Sequence, residues 1–365
     1  YMRILVINPG STSTKIAVYN GAERVMQKNI SHSAEDLAKF PSIIDQLQYR
    51  KEFLIKTLEE EGQALEFDAI MARGPLSKPV EGGTYLIDDE MINVTRNAVH
   101  HHACNLGCLL AKEISDATNG CPGYVADPVV TDELCDYARV SGSPLMPRIS
   151  IWHALNQRAI ARRYAKDQNK RYEDLNLIVC HLGGGISVAA HEHGRAIDVN
   201  NALDGEGPFS PERAGTLPAN DLIHLCFSGE YTEAQLLKLV AGKAGLTAHL
   251  GTNNMRDIEA RINEGDERAK FFVDAMIYHI AKAIAAQGAV LYGKVDAIIL
   301  TGGIAYWKYF VDELRRRVEF LAPVVIYPGE DEMEALALNA LAVVNGEMEA
   351  KTYSQIPDKA AMPYA

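Results

Sequence analysis

Two segments far apart in the chain share one pattern, in which an apolar strand leads into a turn of small residues and a second apolar strand follows. The first segment is residues 2–19, MRILVINPGSTSTKIAVY, and the second is residues 175–199, LNLIVCHLGGGISVAAHEHGRAIDV. A third apolar run, residues 295–300, ends in the sequence TGG before a helical pattern. Repetition of this unit indicates a duplicated α/β domain, and glycine turns at strand ends are typical of nucleotide sites.

The first of these turns has the composition of a phosphate-binding loop. Its glycine and the hydroxyls of residues 11–14 allow backbone N–H groups to approach an anion, and Lys15 adds a positive charge. A hairpin turn of Gly and Ser can also be purely structural. Neither GxxxxGK[ST] nor GxGxxG occurs in the chain, which argues against an ordinary P-loop and a dinucleotide fold.

Length and charge restrict the class of protein. A chain of 365 residues has room for two domains with separate cores, and a formal net charge of −12 argues against nucleic acid or an anionic membrane as partner. No apolar run is long enough to span a bilayer, and Met2 leads directly into an apolar strand, so no signal peptide is expected. Six cysteines without a CxxC pair predict free thiols in a reducing, cytoplasmic setting.

Strand and helix patterns alternate through the first part of the chain. Helices are predicted at residues 42–61 and 105–118, and strands at residues 67–74 and 123–130. The two strands deliver Arg73 and Asp127 to their carboxyl ends.

The predicted domain boundary lies near residues 148–150, where a helix begins with His153 in its first turn. A last helix, residues 332–345, is expected to pack back on the first domain. The prediction is therefore a discontinuous first domain, residues 2–148 plus 331–365, and a second domain, residues 149–330.

Four motifs, VINPGSTSTK, HLGGG, PERAGTLP and LTGGIA, resemble the acetate and butyrate kinase family, within the superfamily of sugar kinases, heat-shock chaperones and actin. The resemblance implies duplicated actin-like, ribonuclease H-like α/β domains with a central nucleotide cleft. The motifs DPVV and IWHALNQ and the modest chain length are more similar to the butyrate branch than to the acetate branch.

The implied reaction is reversible transfer of the γ-phosphoryl group of ATP to a carboxylate, which gives an acyl phosphate and ADP. Butyrate is the expected acid, because Arg73 is followed by Gly-Pro-Leu rather than by branched residues, which leaves volume for a longer acyl tail. Isobutyrate, propionate and acetate remain alternatives, because each buried methylene contributes only about 0.8 kcal/mol. A sugar kinase and an actin-like, non-enzymatic ATPase are the rival classes. The family also implies Mg²⁺ and a homo-oligomer of two or more chains. Closure of the two domains around nucleotide is predicted because the catalytic residues are divided between them and water must be excluded.

Phosphoryl transfer depends on positioning and on neutralising charge, so arginines should dominate the site. The resemblance implies that Arg73 binds the substrate carboxylate and the transferring phosphoryl group, and that Arg213 stabilises the negative charge that develops on that group. It also implies that His153 and His181 donate to phosphoryl oxygens and that Asp127 orients the substrate or the metal. General-base action by Asp127 is not needed, because a carboxylic acid with a pKa near 4 is already ionised at neutral pH.

The remaining implied contacts are to the metal and the nucleotide. Asn8 and Glu332 resemble the magnesium pair, although the acidic run at residues 330–334 also suits a helix N-terminus. The nucleotide contacts implied by the resemblance are Asn8, Ser11, Ser13, Lys15, Gly183, Gly184, Gly185, Asn254, Arg256, Gly302 and Gly303. At Asn254 family members often carry aspartate.

Two features keep two interpretations each. Adjacent side chains in the run His100, His101 and His102 cannot converge on one metal ion, and the resemblance suggests that His102 lies near the acyl pocket. Trp152 either lines that pocket or packs in the core.

Overall fold

The computed structural model describes residues 2–76, 78–98, 101–355 and 364, and these form two compact units. The first unit runs to Thr131 and resumes at Asp331, and the second is Asp132–Glu330.

Strands and helices alternate in the first unit as the apolar pattern predicts. Its elements are β1 (Arg3–Pro9), β2 (Ser13–Asn20), β3 (Glu23–Ser31), α1 (Ala34–Leu37), α2 (Leu47–Glu60), β4 (Ala69–Arg73), β5 (Thr84–Leu86), α3 (Asp89–Arg96), α4 (Leu106–Ala117) and β6 (Gly123–Ala126). Short 3₁₀ turns at Ile44–Gln46 and Ala103–Asn105 precede α2 and α4.

The second unit has more helices around a smaller sheet. Its elements are α5 (Asp136–Arg139), α6 (Ala154–Asp167), β7 (Asn176–Leu182), β8 (Ile186–Glu192), β9 (Arg195–Val199), α7 (Ala219–Cys226), α8 (Glu233–Val240), α9 (Gly245–Leu250), α10 (Met255–Asn263), α11 (Glu267–Val290), β10 (Ala297–Gly302), α12 (Lys308–Val318) and β11 (Val324–Pro328). The chain then returns to the first unit through α13 (Glu332–Val344) and β12 (Lys351–Thr352).

The two sheets repeat one topology. In the first, β1, β2 and β3 form an antiparallel meander, β4 pairs parallel to β1, and β6 pairs parallel to β4. In the second, β7, β8 and β9 form the same meander, β10 pairs parallel to β7, and β11 pairs parallel to β10. The first sheet adds β5 and β12 at its far edge. The predicted duplication is therefore confirmed at the level of strand order.

The central strands are apolar through most of their length because helices pack against each sheet. Residues 4–7 of β1 are fully buried, and β1 contacts both α4 and α13. Strand β7 is equally buried and contacts α6 and α11. A continuous apolar run of this kind is what a strand buried on two faces requires. The helix α13 thus contributes to the core of the first unit.

The division between the units lies at Thr131 and Asp132, earlier in the chain than the predicted 148–150. Residues 132–148 belong to the second unit because Leu134 and Ala138 pack with Trp152 and Val199. The helix after the predicted boundary begins at Ala154, so His153 lies at its N-cap and not in its first turn.

No helix in the described part of the chain is both long enough and apolar enough to cross a membrane.

The end of β4 is packed tightly against α4. A Cβ atom at Gly107 would overlap the carbonyl oxygen of Arg73, which is backbone and cannot move aside cheaply. We expect Gly107→Ala to lower the free energy of unfolding by about 2 kcal/mol, since overpacking displaces α4 or the end of β4. Gly142→Ala is the control, because a Cβ there meets open space. Equal thermal midpoints for the two variants would contradict this packing argument.

Candidate functional site

The turn between β1 and β2 is organised by a buried arginine. Arg50 donates from Nη1 to the carbonyl oxygens of Gly10 (2.6 Å) and Ser13 (2.9 Å), and from Nη2 to that of Ser11 (3.1 Å). The carbonyl of Thr12 accepts from the backbone N–H of residue 32. All four carbonyls, which would repel an anion, are therefore bonded to the protein, while the Ser11 and Thr12 residues are exposed.

Arg50 is a residue that the sequence analysis missed. Its side chain is fully buried, Gln46 Oε1 accepts from its Nε and Nη2, and burial lowers its pKa to about 10, so it stays charged at neutral pH. The available signal was its position, because Arg50 occupies the apolar stripe of α2 with Leu54 and Leu58. A cation on the buried face of a helix requires a buried acceptor.

Lys15 lies within β2 and not in the turn itself. It pairs across the antiparallel ladder with Asn8, so the two side chains share one face at the carboxyl end of β1.

Three predicted residues of the first unit meet at this face. Arg73, the last residue of β4, places Nη1 2.5 Å from Glu332 Oε1, and Asn8 Nδ2 donates to Glu332 Oε2 at 2.9 Å. Glu332 is the first residue of α13, which Asp331 caps through the backbone N–H of residue 334. The structure thus selects Glu332 from the acidic run as the partner of Arg73 and Asn8.

Asp127 lies at the same sheet edge as Arg73. It follows β6, which pairs parallel to β4 with Ala126 opposite Arg73. Its carboxylate is buried, Oδ1 accepts from the backbone N–H of Gly83 at 2.7 Å, and its backbone has a positive φ of 39°. A non-glycine residue in this conformation is held there by its surroundings.

The histidine run is only partly described. His100 lies outside the described residues, and His101 is exposed. His102 caps the 3₁₀ turn before α4, with Nδ1 accepting from the N–H of Cys104, and burial together with the Arg73 charge lowers its pKa. His102 as a whole residue is exposed, and it lies close enough to Arg73 for that charge to favour the neutral form of the ring.

In the second unit, Arg213 packs directly on the glycine turn 183–185. A Cβ at Gly185 would overlap the Arg213 guanidinium, which donates to the carbonyl of Ala202 at 2.8 Å. Ser210 Oγ donates to the carbonyl of Gly184 at 2.7 Å and accepts from the N–H of Arg213 at 3.0 Å. Burial lowers the Arg213 pKa. Only glycine at position 185 leaves room for this cation.

The two predicted histidines stack on each other. The rings of His153 and His181 are 3.8 Å apart and inclined by 9°. His181 Nδ1 lies 2.8 Å from the Asn156 amide nitrogen, and its Nε2 lies 3.6 Å from Glu330 Oε2. A Cβ at Gly183 would lie 3.0 Å from His181 Nε2, so the histidine pair borders the glycine turn.

Two further nucleotide candidates, Gly302 and Gly303, lie at the end of β10, which pairs with β7. Gly302, at the end of β10, has φ +90°, and a Cβ there would overlap the backbone of Leu182, so the residue must be glycine. Gly303 follows it in a 3₁₀ turn.

Asn254 has a structural role, and its predicted contact with nucleotide stays a prediction. Its Oδ1 caps α10 by accepting from the N–H groups of Arg256 and Asp257. The preceding Asn253 bonds Glu212, whose carboxylate borders Gly184. This segment is thereby tied to the glycine turn, although the described contacts of Asn254 are those of a helix cap.

Trp152 belongs to the core. It is 2% exposed and packs edge-on against His191, at a ring separation of 5.8 Å. These contacts agree with the core interpretation of Trp152.

The described residues offer few oxygen donors for the expected Mg²⁺. Among the described residues, no cluster of three or more His, Cys, Asp or Glu side chains could hold a metal ion. Mg²⁺ prefers oxygen ligands, keeps several waters and needs few carboxylates. The Glu332 carboxylate beside the Asn8 amide fits such a site.

The chain is similar to known proteins in sequence and in structure. The model of the acetokinase family matches residues 150–322. A protein described as probable butyrate kinase from Bacteroides thetaiotaomicron is 56% identical over 352 residues, which is 96% of this chain and 100% of that protein. Butyrate kinase 2 of Clostridium acetobutylicum is 51% identical over 353 residues, which is 96% of this chain and 99% of that protein.

Two solved structures show the same fold. The acetate kinase of Porphyromonas gingivalis superposes with a TM-score of 0.79 at 19% identity, covering 94% of this chain and 100% of that one. A propionate kinase of Francisella tularensis superposes with a TM-score of 0.75 at 18% identity, covering 93% and 99%. The predicted fold class is thereby confirmed.

Removing the guanidinium beneath the first turn should destabilise the protein. Arg50→Met leaves the carbonyls of Gly10, Ser11 and Ser13 without their donor, and we expect the free energy of unfolding to fall by about 3 kcal/mol or more. Arg50→Lys keeps the charge but has fewer donors, so its free energy of unfolding should lie between those of the wild type and Arg50→Met. Lys56→Met removes an exposed cation from the same helix and is the control. Thermal unfolding measures all three, and an Arg50→Met variant as stable as Lys56→Met would exclude this role.

Proposed function

Because the chain belongs to the acetokinase family, we propose that it transfers the γ-phosphoryl group of ATP reversibly to the carboxylate of butyrate, giving butanoyl phosphate and ADP. The observation that carries the proposal is identity of 51–56% to proteins described as butyrate kinases, extending over 96% of the chain. In the proposed step a carboxylate oxygen bonds to the γ-phosphorus while the bond from that phosphorus to the ADP oxygen breaks.

The first unit would supply the acceptor side of the reaction. A guanidinium can bind two oxygens of a carboxylate at once, and Arg73 is already held beside the Glu332 carboxylate at 2.5 Å. Glu332 and Asn8 would hold Mg²⁺, which when bound neutralises charge on the phosphate oxygens. The β1–β2 turn would bind phosphate through Ser11 and Ser13.

Lys15 and Asp127 would act electrostatically at the same sheet edge. Lys15 shares the face of Asn8 and adds a compact positive charge for phosphate. A buried carboxylate at Asp127 can orient the substrate or the metal, and the reaction needs no base because the acid is already ionised.

The second unit would supply the phosphoryl side. Arg213 packs on Gly185, where its charge can brace phosphoryl oxygens, and the stacked pair His153 and His181 borders Gly183. The turns at 183–185 and 302–303, together with the segment at 254–256, would bind the nucleotide.

Substrate preference tests the proposal directly. Acyl phosphate is trapped with hydroxylamine, and the acyl hydroxamate is measured for acids of two to five carbons. Each buried methylene contributes about 0.8 kcal/mol, so we expect kcat/KM to rise about fourfold per carbon from acetate to butyrate. Glucose and glycerol are the control acceptors, and their phosphorylation is measured by the release of ADP. A response to the sugars alone would overturn the proposal.

Arg73 and Arg213 should each be essential to turnover. Arg73→Ala and Arg213→Ala are expected to lower kcat/KM for butyrate by about 10³-fold, because each removes a cation aimed at charge that is transferred. Arg316→Ala is the control, since Arg316 is an exposed residue of α12 paired with Glu313. Thermal midpoints show whether each variant is folded. Normal activity in a folded Arg73 or Arg213 variant would remove that residue from the site.

A further inference from the structure

A line of hydrogen bonds leads from the interior of the second unit to His153. Tyr172 Oη lies 2.6 Å from His191 Nδ1, and His191 Nε2 lies 2.9 Å from Gln157 Oε1. Gln157 Nε2 lies 2.9 Å from Ser187 Oγ, which lies 2.8 Å from His153 Nδ1. The first four residues of this line, which we call the relay residues, are at least nine-tenths buried.

One backbone carbonyl determines the direction of every bond in the line. Gln157 Nε2 also lies 3.0 Å from the carbonyl oxygen of Ser187, and a carbonyl can only accept, so this amide atom is the nitrogen. The other amide atom of Gln157 is therefore the oxygen, which accepts from His191. His191 then carries its hydrogen on Nε2, and its Nδ1 accepts from the Tyr172 hydroxyl.

The same logic reaches His153. Ser187 Oγ accepts a hydrogen bond from Gln157, and it must place its own hydrogen elsewhere. Among the residues that the structure describes, His153 Nδ1 is the acceptor within hydrogen-bond distance of Ser187 Oγ. The Ser187 hydroxyl therefore donates to Nδ1, and the hydrogen of neutral His153 lies on Nε2.

The charge state of His191 agrees with this direction. Burial, reinforced by the charges of Arg158 and Arg162, lowers the pKa of His191 to about 3. The ring is therefore neutral at physiological pH and has one hydrogen to place, as the line requires.

We propose that the relay residues Tyr172, His191, Gln157 and Ser187 are positioning residues that hold His153 as the Nε2–H tautomer, so that it donates rather than accepts at Nε2. The catalytic consequence rests on the proposed function, because a donor at Nε2 attracts phosphoryl oxygens and a lone pair there repels them. His181 stacks on this ring, and Glu330 lies beyond His181. The tautomer itself is a property of the resting protein.

Nuclear magnetic resonance of histidine ¹⁵N atoms tests the tautomer without reference to activity. The signals of His153 are identified by their loss in His153→Gln. In the wild-type protein we expect a protonated, pyrrole-type Nε2 and an unprotonated, pyridine-type Nδ1. The opposite assignment would overturn the proposal.

Two substitutions test whether the relay residues cause this state. At alkaline pH, where the buried carboxyl group of Gln157→Glu is ionised, it can only accept, so Ser187 Oγ donates to it and accepts from His153 Nδ1, and the two nitrogen signals exchange character. In Ser187→Ala the donor is lost, and the signals move toward the average of the two tautomers. We expect kcat to fall about tenfold in each, the effect of one lost hydrogen bond.

Gln287→Glu is the matched control. Gln287 is also a buried glutamine, and its Nε2 donates to the carbonyl of Val188, the residue after Ser187 on β8. We expect it to keep the wild-type His153 signals. Unchanged His153 signals in both Gln157→Glu and Ser187→Ala would overturn the proposal. Wild-type protein with the expected tautomer but no activity toward carboxylates would instead contradict the proposed function.

Discussion

Parallel pairing at the centre of each sheet is the constraint on which the candidate residues depend. Parallel strands end at one edge, so β1, β4 and β6 bring Asn8, Arg73 and Asp127 together in the first unit. In the second unit β7 and β10 place His181 opposite Thr301, next to the glycine turns. Residues far apart in sequence are neighbours because the strands that carry them must bury both faces.

Buried polar groups that are fully bonded hold this edge in shape. Arg50 donates hydrogen bonds to three carbonyls of the first turn. The relay residues orient His153 through a series of hydrogen bonds that starts at Tyr172. Both devices use side chains that would destabilise an apolar core if they lacked partners. In each unit, the residues proposed to bind ligand are thus held in place by buried side chains that are not themselves proposed to touch it.

Much of the fold could be predicted because apolar periodicity and glycine punctuation are local signals. The structure agrees with the predicted strand ending at Arg73 and with the predicted helix that contains Leu106 and Leu110. It also agrees with the duplication predicted from the repeated turns. The predicted division between the units lies later in the chain than the observed one. Residues 132–148 carry no strong local pattern, and they join the second unit through the packing of Leu134 and Ala138.

The residue types at the strand ends can be read from the amino-acid pattern, and the family resemblance added their expected chemistry. Three-dimensional packing shows which side chains meet: Glu332 with Arg73, Arg213 with Gly185, and Trp152 with the core. It also revealed Arg50 and the relay residues. The physical reason is that hydrogen-bond direction and burial depend on partners brought from distant segments, which no local pattern in the chain records.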